Sequence, residues 1–141
     1  MRILLTPDGS DGAAVAARTA CRILRGEDRQ IDLLCVAPEY RQRMTGWDES
    51  RAGKLYRQRI IAETQRILGE AKATLGVEIR TRSEVGSPPG IIARASASYD
   101  LTVLDARRRG ERSEAGLGPV ASHVLHHAPG FCPDRTRAAQ R

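Results

Sequence analysis

Four short apolar or alternating runs, each followed by residues at helical spacing, constrain this chain more than any other feature. Ile3-Leu4-Leu5-Thr6 stops at Pro7-Asp8-Gly9, Ile31 to Val36 halts at Pro38, Val77 to Ser83 alternates, and Leu101 to Leu104 is apolar again. Short apolar runs bounded by turn residues read as buried strands, and the alternating run reads as a half-buried edge strand. After the first run, Ser10 can cap a helix carrying Ala13, Ala16, Ala17, Ala20, Cys21 and Leu24, with Gly26 ending it. A long amphipathic helix follows from Lys54 to Leu75, with Ile61, Leu68, Ala71 and Leu75 on one face and Ile60 and Ile67 beside them. Residues 39–53, with Trp47, read as a loop or ragged helix entry. Ser87-Pro88 opens a short helix through Ile91-Ile92-Ala93, and Gly118-Pro119 opens another with Val120, Val124 and Leu125. Alternating strands and helices predict an α/β domain with a parallel sheet covered on both faces.

The length of 141 residues suits one domain, here residues 1–129, followed by a mobile basic tail over residues 130–141. No apolar run approaches the roughly 20 residues of a bilayer span. Met1 to Asp8 is too short and too soon interrupted for a secretory signal. Cys21, Cys35 and Cys132 show no disulfide or zinc spacing, so a reducing cytoplasm is expected. Cys21 and Cys35 fall on apolar faces, and Cys132 falls in the tail. The net charge of +6 raises nucleic-acid binding. Against it, only Lys54 and Lys72 among the 23 basic residues are lysines, and aromatics make up 4% without interleaving the basic clusters. A solvated arginine-rich surface accounts for the charge better.

Candidate chemistry is sparse. His123, His126 and His127 share one predicted helix at spacings that permit metal sharing, but no intervening Glu or distant His completes a site, so no metal is expected. Neither a nucleophile elbow nor a Walker loop is present, and no enzymatic activity is expected. Asp8, at the end of the first strand, occupies a placement where open α/β sheets contact ligands, and it equally suits a turn that caps the first helix with Ser10.

Several phrases in order resemble the universal stress protein family. They are Ile3 to Ser10 with its Asp-Gly-Ser turn, Leu33 to Pro38, Val85-Gly86-Ser87-Pro88 with Ile92, Tyr99 to Leu104, and Gly118 to Pro129. The resemblance implies a doubly wound, Rossmann-like parallel sheet, of order 3-2-1-4 here because the usual fifth strand is missing after Pro129. It implies a ligand crevice between strands one and four, as at a topological switch point. It further implies ATP or another adenine nucleotide, with Mg, held by Asp8, Val36, Gly118 and Val120. Arg107 and Arg109 are candidate phosphate contacts. Of the family's G-x-x-G-x9-G-[S/T] phosphate signature only Gly118 survives, because Asp105, Arg108 and Pro119 stand at the other positions. A stress-response binding domain with a partly degenerate nucleotide site is therefore expected. The alternative is a nucleotide-independent dimerisation or interaction module, and a homodimer is expected in either case.

Overall fold

The chain is described here by a computed structural model covering residues 1–24, 26, 28–39, 50–75, 79–106 and 117–128. The elements run β1 (Arg2–Leu5), α1 (Asp11–Ile23), β2 (Gln30–Pro38), α2 (Arg51–Leu75), β3 (Arg80–Gly86), α3 (Pro88–Ser96), β4 (Leu101–Val103) and α4 (Pro119–His127). The strands form one sheet of order β3-β2-β1-β4, parallel at every pairing. Ile3 lies opposite Ile31 on one side and Leu101 on the other, while Asp32 to Pro38 runs beside Arg80 to Gly86. The expected α/β class and the order 3-2-1-4 are therefore what the chain adopts.

The continuous apolar character of β1 and β2 has a simple cause: helices cover both of their faces. Side chains alternate along each strand. Ile3, Leu5, Leu33 and Cys35 meet Ala17 of α1, Ile67 and Leu68 of α2, and Ile79. Leu4 and Leu34 point the other way, against Ile91, Ile92 and Ala93 of α3 and Val124 of α4. Ile3, Leu4, Leu5, Leu33 and Leu34 are fully buried. Each such side chain contributes roughly 1.5–3 kcal/mol over its exposed state.

Several boundaries and faces differ from the sequence reading. The long helix begins at Arg51 rather than Lys54, because Ser50 Oγ accepts from Gly53 N at 3.0 Å and so caps it early. Its buried residues are Gly53, Thr64, Ile67 and Leu68, whereas Ile61 is exposed. The core stripe thus passes through a threonine, whose hydroxyl is satisfied by donating to Ile60 O at 2.7 Å. The third strand begins three residues or so later than expected and continues to Gly86, where Glu39 N donates to Gly86 O at 3.1 Å. Arg80 to Ser83 are all exposed there, and β3 is an edge strand of the sheet. Strand β2 is longer than Ile31–Val36, and Pro38 is tolerated as its last residue. At the other edge, β4 is half-buried throughout and ends at Val103. In α4, Ala121 and Val124 are buried while Leu125 is exposed. Trp47, Val77, Arg107, Arg108, Arg109, Cys132 and the tail fall outside the described residues.

Away from the cleft, a polar cluster ties the chain after α3 to the central strand. Asp32 of β2 is buried, and its Oδ2 accepts from the Tyr99 hydroxyl at 2.7 Å while Gln30 Nε2 lies 3.2 Å from Oδ1. The Arg2 guanidinium sits 4.8 Å from the centre of the Tyr99 ring. A carboxylate inside a strand is costly without such partners.

Candidate functional site: the cleft at the carboxyl end of the sheet

Strands β1 and β4 are neighbours in space but far apart in sequence, and the chain leaves them toward opposite layers: β1 feeds α1, and β4 leads on to α4. Such a divergence opens a crevice at the carboxyl ends of the strands. A cleft of about 460 Å³ occupies that place. Its apolar walls include Leu34, Val36, Ile60, Ile92, Leu104 and Val120, and its polar groups include Thr6, Asp8, Glu63, Thr64 and Asp105. Asp8, Val36 and Val120 are thus brought together on one cleft although they stand on three separate segments. Gly118 is the N-cap of α4, next to Pro119 on the cleft wall. Arg107 and Arg109 lie outside the described residues.

The turn after β1 fixes Asp8. Thr6 continues the ladder, its backbone N–H and its hydroxyl both donating to Val103 O at 3.1 Å. Asp8 Oδ1 then accepts from Ser10 N at 2.8 Å, and Ser10 Oγ accepts from Ala13 N at 3.1 Å. Asp8 therefore sits in the turn that caps the first helix and on the cleft at once. The two readings of this residue are compatible, because a carboxylate has acceptor capacity beyond the single bond used in the turn.

Three helices begin beside this cleft, and each is short of free donors for an anion. In α1, Ser10 caps the first turn and the Asp105 carboxylate packs against Gly12. A Cβ on Gly12 would lie 2.0 Å from Asp105 Oδ2, so only glycine permits this approach. A carboxylate in that position also offsets the positive end of the helix dipole. In α3, Pro88 and Pro89 occupy the first two positions and supply no N–H. In α4, Pro119 removes the first N–H, and Gly118 N donates to Ala106 O at 2.7 Å. That leaves the N–H groups of Val120 and Ala121, with no side-chain cap upon them.

The cleft is acidic in its described lining. Among the described residues Asp8, Glu63 and Asp105 are the charged groups that line it. Glu63 is gripped from the solvent side by Arg66, with Nη2 2.6 Å from Oε1 and Nε 2.9 Å from Oε2. Cys35 also reaches the cleft wall from the core, and burial raises the thiol of Cys21 above its ordinary pKa. Among the described residues no group of three or more His, Cys, Asp or Glu is placed to hold a metal ion. His123 and His127 stack at 4.1 Å between ring centroids, and His127 Nδ1 lies 2.9 Å from His123 O, so the two rings do not converge on one point.

The sequence reading missed Gly12 and Thr64. A glycine inside the first turn of a helix was the available signal for the former, since such a residue usually marks a close approach.

Fold and cleft together define a doubly wound α/β domain with an open crevice at its switch point. The family model described as the universal stress protein family matches residues 1–131, and the chain belongs to that family. A search of the curated proteins finds no match. Among solved structures, the universal stress protein UspA from Lactobacillus plantarum is 24% identical with a TM-score of 0.68, covering 92% of each chain. A universal stress protein in complex with cAMP is 20% identical with a TM-score of 0.56, again covering 92% of each chain. A universal stress protein family protein from Arabidopsis thaliana with AMP bound is 17% identical with a TM-score of 0.58, covering 92% of this chain and 86% of that one. Among the described residues no helix is long and apolar enough to cross a membrane.

Proposed function

We infer that the protein is a non-enzymatic, cytoplasmic binding module of the stress response that takes an adenine nucleotide or nucleoside in the cleft. The observation that carries this reading is the convergence of Asp8, Val36 and Val120 on one largely apolar crevice at the switch point of the sheet. Two structural neighbours with the same fold hold cAMP or AMP. In this reading Val36 and Val120 flank the base, Asp8 accepts from a ribose hydroxyl, and Gly118 lets the chain pass close to the ligand. Arg107 and Arg109 remain candidates for a phosphate, and Mg is expected only with a polyphosphate. Isothermal titration with AMP tests the reading. Binding by the parent that is lost in Asp8→Ala supports it, and no heat from the folded parent rejects it.

The second reading, a nucleotide-independent homodimer, is favoured by β4, a three-residue sheet edge whose Leu101 and Val103 are only half-buried. Light scattering after size exclusion, with and without AMP, decides between a ligand-independent dimer and a monomer. Nucleic acid remains disfavoured, and filter binding that shows a steep salt dependence would reverse that judgement.

A further inference from the structure

We propose that Thr64 reads the exocyclic amino group of the base, so that the cleft takes adenine in preference to an oxopurine such as hypoxanthine. The proposal rests on the reading of this cleft as an adenine site and adds the residue that tells one purine from another.

Helix α2 supplies Ile60, Glu63, Thr64 and Ile67 to the cleft wall. Glu63 is exposed, whereas Thr64 is only 4% exposed and stands in the buried stripe with Ile67 and Leu68. Of the α2 residues on that wall, Thr64 is the one that is both polar and buried. A valine would fill the same space without an oxygen to desolvate, so packing alone does not call for a threonine here. The hydroxyl proton is committed, because Oγ1 donates to Ile60 O at 2.7 Å. A hydroxyl oxygen also carries two acceptor sites, and these are all that the Thr64 side chain has left to offer a ligand.

The same accounting holds at two other points of the wall. Thr6 Oγ1 spends its proton on Val103 O at 3.1 Å, and the Asp8 carboxylate accepts from Ser10 N at 2.8 Å. Thr6, Asp8 and Thr64 thus present acceptors to the cleft, and a ligand group that meets them must donate. Asp8 suits the ribose hydroxyls, and Thr64 suits the base. The N–H hydrogens of adenine, in a nucleoside, are those of its exocyclic amino group, whereas hypoxanthine carries a carbonyl oxygen at the same ring carbon. Facing Thr64, that oxygen meets a second acceptor, and the threonine can donate to it only by giving up Ile60 O. Selection of this kind acts on the one ligand group that faces α2 and does not depend on the charge of the rest of the cleft.

The test is titration of the whole chain with adenosine, purine riboside and inosine, which bear an amino group, a hydrogen and a carbonyl oxygen at the same ring carbon. The parent is expected to bind adenosine about two- to tenfold more tightly than purine riboside, and inosine no better than the riboside. Thr64→Val keeps the shape of the side chain and removes its oxygen, so it should lower the adenosine-to-riboside ratio by about the same factor. Thr64→Ser keeps the oxygen and should hold the ratio. Equal binding of the three ligands by the parent, or tighter binding of inosine, overturns the selection while leaving a purine site standing. An unchanged ratio in a Thr64→Val chain that melts cooperatively overturns the role given to Thr64. Failure of all three ligands to bind a parent that melts cooperatively rejects the adenine reading itself, and the selection with it.

Discussion

Gly12→Ala is the substitution for which ordinary helix rules and this structure disagree most. In an exposed helix the change stabilises by up to about 1 kcal/mol, because alanine loses less backbone entropy on folding. Here the new methyl carbon would stand 2.0 Å from Oδ2 and 2.8 Å from Cγ of Asp105, well inside contact distance. Asp105 has to leave. Swinging this side-chain end away removes a carboxylate from the helix start, which costs about 0.3–1 kcal/mol. That loss offsets the gain in propensity, so the usual stabilisation is expected to vanish, leaving Tm within about 2 °C of the parent. In an Asp105→Ala background the obstruction is gone, and Gly12→Ala should stabilise by about 0.5–1 kcal/mol. Urea denaturation of the parent, both single variants and the double variant then gives a coupling of about 0.5–1 kcal/mol. Effects that add to within about 0.3 kcal/mol would mean the two residues do not touch, and the contact at the α1 terminus would be refuted.

Two further expectations concern stability. Burial first, and then the hydrogen bond donated to Asp32, raise the Tyr99 pKa above the ordinary phenol value. The native state therefore holds this proton more tightly than the unfolded chain. The associated stability is full below the unfolded pKa near 10 and is lost as pH rises through the raised folded value. Melting temperatures followed through that alkaline range should fall more steeply in the parent than in Tyr99→Phe. That variant should itself lose about 1–3 kcal/mol at neutral pH, because it deprives Asp32 of its closest donor. Gly86 has φ +152, and a Cβ there would meet Ile91 Cδ1 at 2.9 Å. Gly86→Ala is expected to cost about 1–3 kcal/mol by thermal melting, and a neutral result would contradict the placement of α3 against the end of β3.

The strands were legible because β1 and β2 are buried on both faces, which writes continuous apolar runs into Ile3–Leu5 and Leu33–Val36, whereas their order came through the family resemblance. The start of the third strand was less so. Its residues Arg80 to Ser83 are exposed, and its extent follows from hydrogen bonding to β2, which residue types do not encode. The stripe of α2 was misread around Thr64 because its hydroxyl is satisfied within its own helix, so it is buried without a polar partner elsewhere. Of the cleft, Asp8 was legible from its position at a strand end, and Val36, Gly118 and Val120 through the family resemblance. The contact between Asp105 and Gly12 was not, since it joins two distant segments and left only a misplaced glycine as its trace.

The account turns on where an adenine ligand sits. Amide chemical-shift mapping of the labelled chain during titration with adenosine tests this most directly. The largest shifts are predicted at Asp8, Val36 and Val120, on the three segments that meet only at the cleft. Shifts absent at saturation of the titration, or confined to residues remote from those three, would contradict it.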